Sequence, residues 1–431
     1  MKYTLIDLFS GCGGFSLGFK NKDFKILQAI EIDEIACKTF EKNIEITPTC
    51  KNISNMKDQE FKKADVLVGG FPCQPFSLSG LQDGFFGKSG DSFDQCVRAI
   101  KLSEPKVFIL ENVEGFKNLH KGLFLKLALR ELNKLGYNLT TFVLDASDFG
   151  VPQKRKRLFI VGNNLNAKMI PPLGKEKKVS VKDAIGDLLG LEDNFLNHEP
   201  MRHTQTIVRR FAATKIGETT KHAMDRDSSL GNAKITKQCY RRLDPNKPAP
   251  TVVANFVTTT IHYCANRNLT AREAARLQSF PDDFEFEGLK TRMSWQKGLS
   301  QFEQIGNAVP PLIAEKLAEM VLNILDLRNK NSEINYTYDG ELFNDLDQQY
   351  EIVMKKLKEK KHSSGRRGRT SKFQDFYIQV EKLQNGDKIQ LPENILDHKM
   401  FLDAAMRRRN IEWRIVKEKN TQYFKKLSIP S

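Results

Sequence analysis

The sequence predicts an α/β fold: a doubly wound open sheet, a smaller second domain and a small α+β module at the C-terminal end. Three observations carry this reading. Short apolar runs of strand length recur along the first 160 residues. A glycine-rich turn leads the first of them toward a helix, and carboxylates or a proline-flanked cysteine follow the others directly. Ligands of open α/β sheets bind beyond the carboxyl ends of the strands, so these same positions are the candidate sites.

The first strand is Lys2-Tyr3-Thr4-Leu5-Ile6-Asp7-Leu8-Phe9, followed by the turn Ser10-Gly11-Cys12-Gly13-Gly14-Phe15-Ser16-Leu17-Gly18. Glycines there let the backbone approach a ligand closely. Phe24-Lys25-Ile26-Leu27-Gln28-Ala29-Ile30 is a second strand ending in Glu31. An acid about 20 residues beyond such a turn accepts hydrogen bonds from ribose hydroxyls. The spacing is not G-x-G-x-x-G, so an ordinary strand-to-helix turn and a nucleoside-cofactor turn both fit.

Ala64-Asp65-Val66-Leu67-Val68 reads as a buried strand closed by Gly69 and Gly70. Phe71-Pro72-Cys73-Gln74-Pro75-Phe76-Ser77 follows, and its prolines fix backbone angles and cannot join a sheet ladder. An isolated cysteine is most often a small buried hydrophobe; on a stiff turn at a strand end it is also a candidate nucleophile. Pro105-Lys106-Val107-Phe108-Ile109-Leu110 is another strand, leading into Glu111-Asn112-Val113. One acid at one strand end suits a helix cap equally well. Gln153-Lys154-Arg155-Lys156-Arg157 enters the strand Leu158-Phe159-Ile160-Val161. Such a run is a solvated face unless its alternate arginines share one side.

A chain of 431 residues, 40% hydrophobic, supports two or three domains. Without an 18-residue apolar run or a charged-then-apolar leader, neither a membrane span nor a secretory signal is expected. Seven cysteines (12, 37, 50, 73, 96, 239, 264), with no C-x-x-C pair, predict reduced thiols in the cytoplasm and neither a zinc site nor a disulfide framework. His198 and His203 lack cysteine partners at metal spacing, so no metal is expected. A net charge of +15 favours a polyanionic partner.

Taken in order, Asp7-Leu8-Phe9-Ser10-Gly11-Cys12-Gly13-Gly14, Gly70-Phe71-Pro72-Cys73-Gln74-Pro75-Phe76-Ser77, Glu111-Asn112-Val113 and Gln153-Lys154-Arg155-Lys156-Arg157 resemble the motifs of DNA (cytosine-5) methyltransferases of the bacterial restriction–modification type. Arg272-Glu273-Ala274-Ala275-Arg276-Leu277-Gln278-Ser279-Phe280-Pro281 and Gln304-Ile305-Gly306-Asn307-Ala308-Val309-Pro310-Pro311 resemble the last two motifs, so the likeness spans about residues 3–325.

The resemblance implies an S-adenosylmethionine-dependent methyltransferase sheet facing a recognition domain across a DNA-sized cleft. It implies that Cys73 adds to C6 of a flipped-out cytosine, Glu111 serves N3, Arg157 holds O2 and Arg155 supports the base or its phosphate. S-adenosylmethionine, leaving as S-adenosylhomocysteine, would contact Phe9, Gly11, Gly13, Gly14, Glu31, Ile32, Asn52, Ile53, Asn307 and Ala308. Gln74, Ser77 and Gln153 would lie against double-stranded DNA. Two positions depart from the family pattern: Asn52 stands where Asp is usual before Ile53, and Lys88 where Arg is common before Ser89-Gly90. The expected protein is a monomer paired functionally with a restriction endonuclease. An RNA cytosine methyltransferase or an inactive DNA-binding relative would share the fold.

These expectations divide the chain into a catalytic domain (1–162), a target-recognition region (163–266), a return to the catalytic domain (267–330), a basic linker (331–371) and the α+β module (372–431). In the recognition region, Arg209, Arg210, Arg241 and Arg242 are either phosphate contacts or solvated surface. The linker ends in Gly365-Arg366-Arg367-Gly368-Arg369, either a flexible basic stretch or the core of an AT-hook without its prolines. Beyond it, residues 391–409 read as a helix with Phe401, Leu402, Ala405 and Met406 on one face. Ile411-Glu412-Trp413-Arg414-Ile415-Val416-Lys417 alternates as a strand, and Asn420-Thr421 turns into a second.

Overall fold

The computed structural model describes residues 3–72, 92–191, 195–231, 240–256, 259–291, 296–326 and 346, and the backbone of three strands between 388 and 426. The chain divides into two compact units, Met1–Glu351 and Ile352–Ser431.

The first unit is built on a seven-stranded sheet of order β3-β2-β1-β4-β5-β7-β6. Its strands are β1 (Thr4–Leu8), β2 (Lys25–Glu31), β3 (Thr49–Cys50), β4 (Val66–Gly70), β5 (Val107–Val113), β6 (Asn138–Asp145) and β7 (Lys156–Asn163). β1 to β5 pair in parallel, whereas β7 runs antiparallel between β5 and β6. Val66, Leu67, Val68 and the run from Val107 to Leu110 are fully buried, as strands covered on both faces must be. β1 has β2 on one side and β4 on the other, so the strand order reverses there. A crevice opens at that reversal, above the ends of β1 and β4.

β5 extends three residues past the apolar run that predicts it. Antiparallel pairing with β7 continues through Glu111↔Phe159, Asn112↔Leu158 and Val113↔Arg157, which carries Glu111 inside the ladder.

The helices of the first unit are α1 (Gly14–Lys20), α2 (Glu34–Ile44), α3 (Ser92–Ser103), α4 (Leu123–Asn133), α5 (Val181–Ile185), α6 (Gln205–Ala213), α7 (Thr220–Arg226), α8 (Ala271–Leu277), α9 (Gln301–Asn307) and α10 (Pro311–Asp326). The last of them returns beside the first. A Cβ on Gly18 would collide with Ala314 Cβ and lie 2.6 Å from the Pro311 carbonyl oxygen. Only glycine lets α1 and α10 approach so closely. Phe19, Phe40, Val161, Leu317 and Val321 belong to the core beneath this contact. A second core joins α5, α8 and α9 through Ile185, Phe256, Leu277, Phe280, Phe284 and Ile305. Each buried aromatic or leucine of this kind contributes about 1.5–3 kcal/mol.

Within the predicted recognition region, β8 (Arg241–Arg242) and β9 (Thr260–Ile261) form a two-stranded parallel pair. The second unit holds an antiparallel sheet of order β10-β12-β11, with β10 (Lys388–Gln390), β11 (Trp413–Glu418) and β12 (Thr421–Lys426). Its first strand is additional to the two that alternation predicts. The helix expected within 391–409 and the arginine-rich end of the linker lie outside the described residues.

Candidate active site

The glycine turn leaves β1 with three residues in left-handed conformation, Phe9 at φ 54°, Gly11 at φ 54° and Gly13 at φ 100°. For phenylalanine that conformation is costly, and such strain concentrates at ligand sites. Beneath the turn, Ser16 Oγ donates a 2.7 Å hydrogen bond to the buried Asp7 carboxylate, tying α1 to β1. Burial pushes the Asp7 pKa up to about 7.

Glu31 closes the turn from the other side. One carboxylate oxygen accepts from Gly11 N–H at 2.8 Å, and the other accepts from Ile32 and Asp33 N–H at 2.9 Å each. Burial raises its pKa, and the three backbone donors pull it back down. One oxygen thus retains capacity for a further donor. Next to it, Ile32 is 64% exposed, an open apolar face beside a carboxylate.

Both residues line a pocket of about 230 Å³ that also includes Phe9, Asn52, Ile53 and Pro72. Five of the residues expected to hold the cofactor are therefore gathered in one cavity. Ile30, Lys51, Ser54, Ser92 and Gln95 complete its wall and are not among the expected cofactor contacts. Adjacency to Asn52 and Ile53 was the available signal for Lys51 and Ser54. Nothing in the sequence pattern marks Ser92 and Gln95, which α3 brings in. Asn52 caps the short turn that follows it, its side-chain oxygen accepting from Ser54 N–H at 3.0 Å. Ser10 Oγ is buried nearby without a hydrogen-bond partner among the described residues. Asn307 and Ala308 end α9 beside the glycine turn, where a Cβ on Gly14 would come within 3.2 Å of Ala308 Cβ.

A second cluster stands where β4 ends. Gly70 is in register with Glu111, and a Cβ there would lie 3.4 Å from the carboxylate. Arg157 Nε lies 2.8 Å from the other carboxylate oxygen. Asn112 Nδ2 donates to the Phe71 carbonyl at 3.1 Å, fixing the chain two residues before Cys73. Burial raises the Glu111 pKa, opposed by Arg157 and Arg155. The backbone from Gly70 to Pro72 thus runs from this carboxylate to the pocket wall. Cys73, Gln74 and Ser77 lie outside the described residues.

Other expected contacts are directed inward. Arg155 is 2% exposed, and its guanidinium donates to the carbonyls of Val252 (2.9 Å), Gly306 (3.1 Å) and Ala308 (3.0 Å). It braces β7 against the recognition region and α9 rather than reaching a base. Gln153, expected against DNA, is fully buried, donating to Leu277 O and Gln278 and accepting from Val252 N–H at 2.9 Å. Arg242, a phosphate candidate, is also buried, donating to the carbonyls of Thr214, His262 and Ala265. These internal bonds leave neither group for a duplex. Arg210 is half-buried against the Leu230 carbonyl at 2.7 Å, whereas Arg209 and Arg241 are exposed. Among the described residues, no group of three or more His, Cys, Asp or Glu is arranged to hold a metal ion. No described helix is long and apolar enough to cross a membrane.

Comparison with known proteins gives a consistent result. The family model for C-5 cytosine-specific DNA methylases matches residues 3–323. Type II methyltransferase M.DdeI of Desulfomicrobium norvegicum is 38% identical over 366 residues, covering 74% of this chain and 88% of that protein. Type II methyltransferase M1.HphI of Haemophilus parahaemolyticus is 35% identical over 338 residues, covering 75% and 88%. Among solved structures, a prophage-encoded E. coli protein described as a DNA modification methyltransferase aligns with TM-score 0.58 at 26% identity, over 75% of this chain and 99% of that one.

Proposed function

The chain belongs to the C-5 cytosine-specific DNA methylase family, and we propose that it methylates cytosine C5 within a short duplex sequence through a covalent Cys73 intermediate. The observation that carries this reading is the short span from Gly70 to Pro72, which joins the Glu111–Arg157 pair to the Phe9–Glu31–Ile32 pocket. The proposed nucleophile follows Pro72 in sequence, next to backbone that adjoins both the Glu111–Arg157 pair and the pocket.

The pocket's chemistry fits S-adenosylmethionine. Glu31 would accept from the ribose hydroxyls, Ile32 and Ile53 would cover the adenine, and the Phe9–Gly14 turn would follow the methionine end. Held there, S-adenosylmethionine supplies an electrophilic methyl group to the nucleophilic C5. Asn52 would meet the adenine edge as a neutral amide, without the charge of aspartate.

Cytosine C5 is too electron-poor to attack an electrophile unaided, so the Cys73 thiolate first adds to C6, forming a C–S bond. Electron density moves toward N3 and O2. A protonated Glu111 donates at N3, and Arg157 neutralises charge at O2. After C5 is methylated, loss of its proton and expulsion of the Cys73 thiolate restore the ring. A stacked base is out of reach of all these groups, so the target is extruded from the duplex. Arg155 acts indirectly, holding the strand that carries Arg157. In a restriction–modification pair, the methylated site would be protected from a partner endonuclease.

The test is incubation with a labelled methyl donor and either DNA or tRNA. Label is expected in DNA and absent with Cys73→Ala, which should keep its DNA and donor affinity. DNA carrying 5-fluorocytosine at the target should give a denaturant-resistant adduct, since no C5 proton can leave. Bisulfite sequencing of DNA from expressing cells then gives the site. Label confined to tRNA, or turnover by the alanine variant, overturns the reading.

A further inference from the structure

Gln95 lines the pocket that holds Glu31, Ile32 and Ile53, and nothing in the proposed chemistry uses it. It sits on α3 one turn before Arg98, so the two side chains share a face of that helix. Arg98 Nη1 donates to Gln95 Oε1 at 3.0 Å. Arg98 is itself tightly held. Its Nε and Nη2 donate to Asp58 Oδ1 at 2.9 and 2.6 Å, and Nη2 also donates to the Met56 carbonyl at 2.6 Å. The guanidinium carbon lies over the Phe61 ring, 5.1 Å from its centroid.

A guanidinium carries donors and no acceptor, so the group of Gln95 that faces Arg98 is the amide oxygen. Turning the amide over would set N–H against N–H, beside a charge that Asp58 and Met56 fix in place. The Gln95 side chain therefore has one polarity. Its oxygen is committed to Arg98, which leaves the N–H donors of Nε2 for the cavity. Lys51, also in the wall, is committed elsewhere, its Nζ meeting the Glu60 carboxylate at 3.1 and 3.2 Å. Glu31 presents the acceptor that suits ribose hydroxyls. Gln95 presents the reverse, and the strong acceptors of an adenosine are the adenine ring nitrogens N1, N3 and N7.

We propose that Gln95 is a residue with which this chain reads the nucleobase of its cofactor, donating to a ring nitrogen of the adenine. Arg98 is a positioning residue. It fixes the polarity of the amide and ties α3 to the segment 53–58, whose Ile53 lines the same pocket. The proposal rests on the cofactor reading above. The two fail separately, because the unmodified compound tests that reading and altered rings test this one.

Binding of the full chain to S-adenosylhomocysteine, and to its 1-deaza, 3-deaza and 7-deaza analogues, is measured by calorimetry without DNA. Each analogue replaces one ring nitrogen by C–H and so removes one acceptor. One analogue should bind wild type about 5- to 30-fold more weakly, through loss of the Gln95 bond. Q95A should lose a similar factor on the unmodified compound and nothing further on that analogue. Q95E keeps the shape and the pairing with Arg98 but offers no donor. It should melt near wild type without cofactor, yet bind the unmodified compound as weakly as Q95A. If Q95A does not melt cooperatively, Q95E carries the comparison. Analogue losses that are the same in wild type and variant overturn the proposal, as does wild-type affinity in Q95E. Failure of wild type to bind the unmodified compound would overturn the cofactor reading, and this proposal with it.

Discussion

Arg157 and Glu111 are held 2.8 Å apart by neighbouring antiparallel strands, as a charge pair beside the end of β4. Burial pushes the carboxyl toward its protonated form, while Arg157 and Arg155 pull it toward the carboxylate. The balance keeps a proton on Glu111 to higher pH than on an ordinary glutamate. Donation at N3 uses that proton, so single-turnover rates should fall as pH rises through the raised Glu111 pKa. Glu111→Gln should lower the rate about 10²–10⁴-fold and remove that alkaline limb. A glutamine variant with the wild-type profile would show that Glu111 does not serve the base.

The two arginines of the run 155–157 should separate cleanly by measurement. Arg155 meets three backbone carbonyls, and Arg155→Ala leaves them buried without their donor. At about 1–3 kcal/mol for each unsatisfied group, the cost is several kcal/mol. Thermal melting should fall by roughly 2–4 °C per kcal/mol, and Arg155→Lys should restore only part of it. Arg157→Ala should melt near wild type, because Glu111 can take up a proton, but lose at least about 100-fold in single-turnover rate. Equal melting losses in both would remove the distinction between brace and substrate contact.

That distinction was not legible in the sequence, where the arginines differ only by two positions. Burial of Arg155 depends on Val252, Gly306 and Ala308, and burial of Gln153 on Leu277 and Gln278. These partners lie about 100 residues or more away, beyond any local periodicity. Arg242 is hidden by nearer partners, Thr214, His262 and Ala265, 20 to 28 residues away but on separate segments. The strands were legible where both faces are buried, because continuous apolar runs such as Val66-Leu67-Val68 mark themselves. β3 pairs through only two residues, and β6 is a half-buried edge strand opening on Asn138, so neither stood out. Glu31, Asn52 and Ile53 were legible through motif order, and the fold brings them to one cavity.

Glu31 is expected to act on the empty protein as well as on the cofactor. Glu31→Ala removes the acceptor for Gly11, Ile32 and Asp33 N–H together with the proposed ribose contact. S-adenosylmethionine affinity should weaken by about 1–3 kcal/mol by calorimetry. The cofactor-free melting temperature should fall too, since the glycine turn loses its anchor. Unchanged affinity alongside a lowered melting temperature would make Glu31 a structural residue only.

Asp7 gives folding a pH dependence of its own. Its carboxyl is buried under the glycine turn, and burial, together with the nearby Glu31 charge, raises its pKa to about 7 against the Ser16 hydrogen bond. The unfolded chain releases this proton near 3.8. The folded state therefore binds more protons between those values, so this contribution is full below about pH 4 and is lost as pH rises through about 7. At about 1.36 kcal/mol per unit, the span amounts to roughly 4 kcal/mol. Asp7→Asn keeps an acceptor for Ser16 but carries no titrating proton. Other carboxylates, such as Asp65 beside Lys106, stabilise in the opposite direction as pH rises, so the wild-type curve alone does not isolate Asp7. The difference between variant and wild type does. Denaturant unfolding from pH 4 to pH 8 should show Asp7→Asn gaining stability relative to wild type across that range. Parallel curves would mean that the Asp7 carboxyl titrates alike folded and unfolded.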